Sequence, residues 1–391
     1  MRIAFVSYEF PPDTGVGGIA TYVRQIASLF SQQKISVEVI CASPTRTGTV
    51  LENQYLSITR IQCASTEQFR KLSPLVVADR HAARPFDLIE VPEYGAEGLY
   101  MKDKLPQVPL AIKLHTPRFL IKELNDYYYN KSPLRRLKNI VGLKYKRSRD
   151  PEYKAIQGAD FIISPSHSLK NIVSERWNID PSKIYHAPNP YFPSEQLQSI
   201  PTTSGSENIL YIGRLETRKG VYNLARAIPL VLQSFPNAKF TFLGKDSRGP
   251  RREKSMLTVL KQIIGENLRN VSFLDFVPLT EVPSIIAKAD ICVFPSLWEN
   301  FPNVCLEAMT AGKSIVASKN GGMVDMLQDN KGGVLVDPHE PSDIANGINQ
   351  LLSDRNFRNE AGKRNREKAI SYYGSDLTIE LVQLYSGFIS R

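Results

Sequence analysis

Apolar and polar positions along this chain fall into two patterns that alternate from end to end. Short apolar runs at 3–6, 37–40, 88–91, 110–114 and 161–163 have the length of buried strands. Between the first two, Ile19, Tyr22, Val23, Ile26, Leu29 and Phe30 recur at helical spacing and trace one apolar face. A second set runs 209–212, 240–243, 271–274, 291–294, 314–317 and 334–336, again with helical stretches between. Strands apolar on both faces and separated by helices predict parallel sheets covered by helices, an α/β fold. At 391 residues the chain exceeds what one core holds, so two domains are expected. The Pro- and Ser-rich stretch 186–205 is the linker candidate, dividing a first domain, 1–195, from a second, 196–375. Two doubly wound, Rossmann-like domains facing each other would bind a ligand in a central cleft, at the carboxyl ends of their strands.

The densest chemistry lies in 296–318. The strand 291–294 is broken by Pro295, Asn300, Pro302 and Asn303, and a helical pattern begins at Val304. Glu299 in the loop and Glu307 in the helix have seven residues between them, while Asn300, Phe301, Asn303 and Val304 fill the loop and first turn. Backbone N–H groups at a helix start attract an anion such as a diphosphate; carboxylates repel phosphate but accept hydrogen bonds from sugar hydroxyls. That division of labour suits a sugar nucleotide. Helical glutamates are ordinarily solvated, so the motif is weighed with its context. The second domain opens on a strand and a cationic turn, with Arg214 and Lys219 placed to neutralise a departing diphosphate and Arg218 beside them.

The segment 296–318 resembles the retaining family-4 glycosyltransferases, which carry two glutamates at this separation followed by wording like Glu307-Ala308-Met309 and Gly312–Ser318. Asn300 and Pro302 stand where that family usually has glycines, and Pro302 removes one backbone donor. The resemblance implies a B-type glycosyltransferase (GT-B) architecture, a nucleoside-diphosphate sugar as donor and retention of configuration. It also implies a last helix, 376–391, that returns to the first domain. Gly213-Arg214 and Lys219-Gly220 look like the family's phosphate-binding pair. Base contacts are implied from backbone near Phe276 and Val277. The first domain would bind the acceptor and the second the donor.

In the first domain, Gly15-x-Gly17-x-x-Ala20 mimics a dinucleotide fingerprint. About ten residues separate the strand from those glycines, and no acid follows the second strand, so the fingerprint is rejected. The wording resembles the family's N-terminal loop, where Gly17 and Gly18 let the backbone approach donor or acceptor; a plain glycine turn is the alternative. His115 closes the strand 110–114, and the resemblance places a histidine there against the transferred sugar, with a structural histidine as rival. Glu93, with Tyr94 beside it, lies at another strand end and is the acceptor-binding candidate. Gly312-Lys313-Ser314 lacks the earlier glycine of a P-loop.

Composition changes this picture in two places. The four cysteines, Cys41, Cys63, Cys292 and Cys305, have no metal spacing and read as buried reduced thiols. Independence from a metal is what the family resemblance implies, and no paired acidic motif for a divalent ion stands out; no cofactor is expected beside the nucleotide-sugar co-substrate. A net charge of +10 favours anionic partners, and eight basic residues crowd 131–149 among Leu134, Leu137, Val141 and Tyr145. That segment reads either as an amphipathic helix on an anionic membrane or as the solvated face of a packed helix. Nucleic acid is disfavoured for want of a recognised motif. Without a long apolar segment the expected location is the cytoplasm, with peripheral membrane contact open. The rival functions are a sugar-nucleotide epimerase, a sugar phosphorylase and a non-catalytic binding module.

Overall fold

The computed structural model describes residues 1–15, 17–130, 145–202, 205–251, 253–328 and 331–390. The chain divides into two compact units: Met1–Arg118 with Tyr145–Phe192 and Ser375–Arg391, and Phe119–Lys144 with Pro193–Gly374. The sequence pattern keeps 119–144 with the first domain. In the structure the described part of that excursion packs in the second unit instead, with the Tyr127 ring 4.7 Å from His339 and the Tyr128 ring 5.0 Å from Tyr222. Nor is 186–205 a loose tether, since Ala187–Tyr191 are buried and Glu195–Gln198 are helical.

The first unit is built on an eight-stranded sheet. Its strands are β1 (Arg2–Ser7), β2 (Ser36–Ser43), β3 (Gly48–Asn53), β4 (Leu56–Gln62), β5 (Leu88–Pro92), β6 (Leu110–Lys113), β7 (Phe161–Ser164) and β8 (Ile184–His186). They lie in the order β3-β4-β2-β1-β5-β6-β7-β8, all parallel except the β3–β4 pair. Three strands are absent from the sequence expectation, each for a reason. β3 is exposed along its whole length, β4 alternates rather than running apolar, and β8 has only three residues. The helix Gly18–Gln32 buries Tyr22, Val23, Ile26, Leu29 and Phe30, and each such side chain contributes about 1.5–3 kcal/mol by leaving water. The last helix, Leu377–Ile389, belongs to this unit: Leu377, Leu381, Tyr385 and Phe388 are buried, and Phe388 stacks on Phe161 at 4.1 Å.

The second unit has β9 (Asn208–Ile212), β10 (Lys239–Leu243), β11 (Val271–Leu274), β12 (Ile291–Phe294), β13 (Ser314–Ser318) and β14 (Gly333–Val336), in the order β11-β10-β9-β12-β13-β14. All are parallel, and the order reverses between β9 and β12, the point where doubly wound sheets open a ligand crevice. Phe240, Phe242, Leu224, Ile228, Ile348 and Leu351 fill the core.

The basic amphipathic helix expected over 131–149 lies outside the described residues as far as 144. Beyond it, Arg147–Arg149 form a 3-10 turn. No helix among the described residues is long and apolar enough to cross a membrane. All four cysteines are free and buried, and burial pushes the thiols of Cys41 and Cys292 up to about 12.

Candidate active site

In the second unit the chemistry gathers where β9 and β12 end side by side. After β9 the chain turns through Gly213 into a 3-10 turn over Thr217–Lys219, closed by Gly220 at φ 72°. A Cβ on Gly220 would stand 1.7 Å from the Pro295 carbonyl oxygen, so only glycine lets this turn pass the end of β12. The two loops are stitched together by Leu297 N–H donating to the Arg218 carbonyl at 2.8 Å. From the other side, Gly322 N–H donates to the Glu299 carbonyl at 2.8 Å, which fixes the backbone beneath the carboxylate.

Glu299 is therefore held in place, and its side chain keeps only 13% exposure. Lys219 Nζ donates to Glu299 Oε2, and Arg218 Nη1 reaches the same oxygen at 3.5 Å. Burial raises the carboxyl's proton affinity, but Lys219 and Arg218 outweigh it and hold Glu299 below the usual carboxylate range. Arg218 also pairs with Glu216 at 2.8 Å. The cations named from spacing were Arg214 and Lys219. In the structure Lys219 and Arg218 hold the carboxylate, while Arg214 stands at the rim, 63% exposed and 3.4 Å from Glu216.

The helix Asn303–Thr310 starts immediately beyond, with Pro302 at its N-cap and no side-chain cap bond. Asn300 and Phe301 are buried, whereas Asn303, Val304 and Glu307 are partly accessible. Burial without a cationic partner pushes Glu307 up to about 7. The two glutamates thus differ in charge near neutrality, one fixed ionised and one titrating. Phe276, 68% exposed, and half-buried Val277 follow β11 on the same edge, with Lys245 Nζ 5.2 Å from the Phe276 ring. Lys313 is buried and donates to the Ala287 carbonyl at 3.1 Å, a structural role.

The first unit builds a different edge. His115 follows β6, and its ring meets Tyr22 edge-on at 5.3 Å. Burial, with Lys113 nearby, lowers its pKa to about 3, so the imidazole is neutral through the physiological range. Glu93 departs from the acceptor-facing expectation. It is fully buried, and its Oε2 accepts the His115 N–H at 2.6 Å. Burial and the neighbouring Glu152 hold it well above the carboxylate range. Glu152 in turn accepts from Gly95 N–H at 3.0 Å and Arg118 N–H at 2.9 Å. Tyr94 is half-buried under the Arg118 guanidinium, 4.9 Å from its ring centroid. A Cβ on Gly18 would meet nothing within 4 Å, so the backbone there is open to approach, whereas one on Gly17 would lie 3.3 Å from Glu9.

Sequence reasoning passed over the layer beneath His115. Tyr22 donates to Glu90 Oε1 at 2.8 Å and Tyr385, from the last helix, to Glu90 Oε2. Lys113 is buried, donates to the Ala187 carbonyl at 2.8 Å, and is lowered by burial to about 7. The available signal was a charged residue inside each of two apolar strands, Glu90 in β5 and Lys113 in β6. Among the described residues no group of three or more His, Cys, Asp and Glu gathers to hold a metal.

Two doubly wound units, one presenting an ion-paired carboxylate at its switch point, are the architecture of a B-type glycosyltransferase. Solved structures agree on the fold. Sucrose-phosphate synthase from Thermosynechococcus elongatus is similar at TM-score 0.72 and 19% identity over 100% of this chain and 99% of that one. Anabaena HepE, solved in complex with UDP, is similar at TM-score 0.67 and 18% identity over 99% and 100%. Family profiles divide the chain in two: "Glycosyltransferase Family 4" matches residues 16–194, and "Glycosyl transferases group 1" matches residues 194–368. The D-inositol 3-phosphate glycosyltransferase of Corynebacterium jeikeium is 34% identical over 93% of this chain and 91% of its own. The chain belongs to the family-4 glycosyltransferases.

Proposed function

We propose that this glycosyltransferase moves a sugar from a nucleoside-diphosphate sugar to a hydroxyl acceptor, with retention of configuration. The observation that carries the reading is the Lys219–Glu299 pair at the β9/β12 switch point, beside a helix start that suits an anion. As the bond from the anomeric carbon to the diphosphate breaks, the acceptor hydroxyl bonds that carbon from the same face and passes its proton to the departing diphosphate oxygen. Lys219 neutralises the charge growing on the diphosphate, and Arg214, exposed at the rim, adds to it. Glu299, freed from part of its ion pair, accepts from donor-sugar hydroxyls, and Glu307 from the ribose or the sugar. Backbone at Asn303 and Val304 meets the phosphates, and backbone near Phe276 and Val277 meets the base. These cationic side chains supply the charge a metal would otherwise bring. That HepE was solved in complex with UDP supports a nucleoside-diphosphate donor.

In the first unit, neutral His115 offers the sugar a hydrogen bond without a charge, and Glu93 fixes the backbone that carries it. Gly17 and Gly18 let the chain come close to donor or acceptor. Tyr94, rather than buried Glu93, is left as the acceptor contact. The charge of the basic segment 131–149 supports a peripheral contact with the inner face of an anionic membrane; salt-sensitive flotation with anionic liposomes tests that, and its absence removes it.

A thermal-shift panel of nucleotide sugars identifies the donor, because a ligand that binds the folded state raises its apparent stability. Acceptors are then screened with that donor, inositol phosphates first, given what the Corynebacterium jeikeium relative is named for. Transfer to a hydroxyl with release of the nucleoside diphosphate is the expected product pattern. An altered sugar still on its nucleotide would make the protein an epimerase, and a requirement for inorganic phosphate would make it a phosphorylase. If no nucleotide sugar binds, the proposal is wrong.

A further inference from the structure

The first unit contains a cavity of ≈ 190 Å³ that none of the chemistry above uses. It lies at the opposite edge of the sheet from His115. Arg2 begins β1, Ser36 begins β2, Leu56 begins β4, and Arg84 follows the helix Thr66–Ala83, so the walls come from the amino ends of parallel strands. Arg2, Arg80 and Arg84 line it with a single acid, Glu38, while Gln54 and Ser57 add neutral hydrogen-bonding groups.

The charges do not balance. Glu38, with a side chain only 1% exposed, is shared: Arg2 Nη2 donates to Oε2 at 2.6 Å, Arg80 Nε to Oε1 at 2.6 Å, and Thr59 Oγ1 to Oε1 at 2.6 Å. One carboxylate thus neutralises one of three guanidiniums. Burial draws the Arg2 guanidinium below its ordinary range; Glu38 opposes this, and Arg84 and Arg80 add to it. Arg2 Nη1 donates to the Arg84 carbonyl, which holds the Arg2 guanidinium at the end of the helix Thr66–Ala83. The space is below the ~300–1,000 Å³ of clefts that take drug-sized ligands. Guanidiniums are the side chains best shaped to bind a phosphate through paired N–H groups.

We propose that this cavity binds a phosphate dianion, free or as the phosphomonoester of a small polyol, at a site separate from the nucleotide-sugar site. Two surplus positive charges match the dianion, and the polar wall suits either a bare ion or a short hydroxylated carbon chain. The competing account is that Arg2 and Arg80 only tie the sheet to the preceding helix through Glu38, and that an anion adds nothing.

The test measures melting temperature against sodium phosphate, and against a hexose 6-phosphate, with sodium chloride matched in ionic strength. Wild type, Arg84→Glu and Lys219→Ala are compared. Arg84 is exposed and its contact with Arg2 is through backbone, so Arg84→Glu keeps the fold, which circular dichroism verifies. The expected result is a saturable rise of roughly 2–4 °C in wild type and in Lys219→Ala that Arg84→Glu loses. A larger response to the hexose phosphate identifies a phosphomonoester, and an equal one free phosphate. A rise matched by chloride, one that survives in Arg84→Glu, or one that disappears in Lys219→Ala overturns the proposal. Because the cavity is tested in a variant that lacks Lys219, the outcome is independent of the nucleotide-sugar reading.

Discussion

The carboxyl edges of the two sheets treat charge in opposite ways. In the second unit Glu299 is kept ionised by Lys219 and Arg218. In the first, burial keeps His115 neutral and pushes the Glu93 carboxyl well above its ordinary range. The same backbone architecture thus yields one edge that holds fixed charges and one that removes them. Fixed charge is what a departing diphosphate needs, because preorganised cations cost no reorganisation as negative charge develops. Neutral hydrogen-bonding groups suit a sugar, which carries none. The contrast comes from what surrounds each group, because glutamates occupy both edges.

The largest effect that tests this contrast is Lys219→Ala. Removing a cation aimed at the leaving group lowers kcat by about 10²–10³-fold, as loss of one oxyanion donor does elsewhere. Release of nucleoside diphosphate from the identified donor is the readout. A loss below tenfold would mean that Lys219 serves the fold alone.

Gly220→Ala comes next. A Cβ 1.7 Å from the Pro295 carbonyl, at φ 72°, forces the β9 and β12 loops apart. The substitution costs more than about 3 kcal/mol of stability by combined strain and steric conflict, read by chemical denaturation. An unchanged midpoint would show that the two loops are not locked together.

A smaller effect separates the edges by pH. Glu307 titrates near 7 and His115 near 3, so between pH 5.5 and 8.5 the donor affinity changes through Glu307 and not through His115. As pH rises through about 7 Glu307 becomes a better acceptor for hydroxyls, and donor affinity rises; Glu307→Gln flattens that limb, whereas His115→Gln leaves it. Stability moves the other way. Glu307 has a folded pKa above its unfolded value, so the fold binds the proton more tightly than the open chain does. Its contribution is full below about 4.5 and is lost as pH rises toward about 7. Melting temperatures for wild type and Glu307→Gln should therefore diverge least in acid and most above neutrality, with the variant favoured. A pH limb that survives in Glu307→Gln would assign it elsewhere.

The smallest effect concerns the layer below His115. Tyr385→Phe removes one donor from buried Glu90 while the ring still packs against Phe30, costing about 1–2 kcal/mol of stability. No change would mean that Tyr22 alone satisfies that carboxyl.

Much of the second unit was legible from sequence. Each of its six strands is a compact apolar run between loop signals, and β12 followed by Asn303–Thr310 appears within a residue of its expected place. In the first unit β3 has no buried residue to mark it, so the pattern of apolar positions passed it by. The packing of 119–130 onto the second unit is tertiary, and nothing in its local periodicity announces it. At the site, spacing named Arg214, Lys219 and Glu299 with Arg218 beside them, and the structure pairs Lys219 and Arg218 with Glu299 while Arg214 stays exposed. The two arginines occur four residues apart, and only the geometry of the turn Thr217–Lys219 decides that Arg218 meets Glu299. Glu93 shows the same limit: an acid at a strand end reads as accessible until the loops that cover it are placed.

The account stands most directly on calorimetric titration of UDP, ADP and GDP, and of the matching nucleotide sugars, into wild type, Lys219→Ala and Glu299→Gln. It predicts saturable binding of a nucleoside diphosphate that weakens at least tenfold in Lys219→Ala. In Glu299→Gln the diphosphate should bind as well as in wild type or better, since Lys219 is released, while the added affinity of the nucleotide sugar disappears. Equal weakening of diphosphate and nucleotide sugar in Glu299→Gln, with Lys219→Ala unaffected, would contradict it.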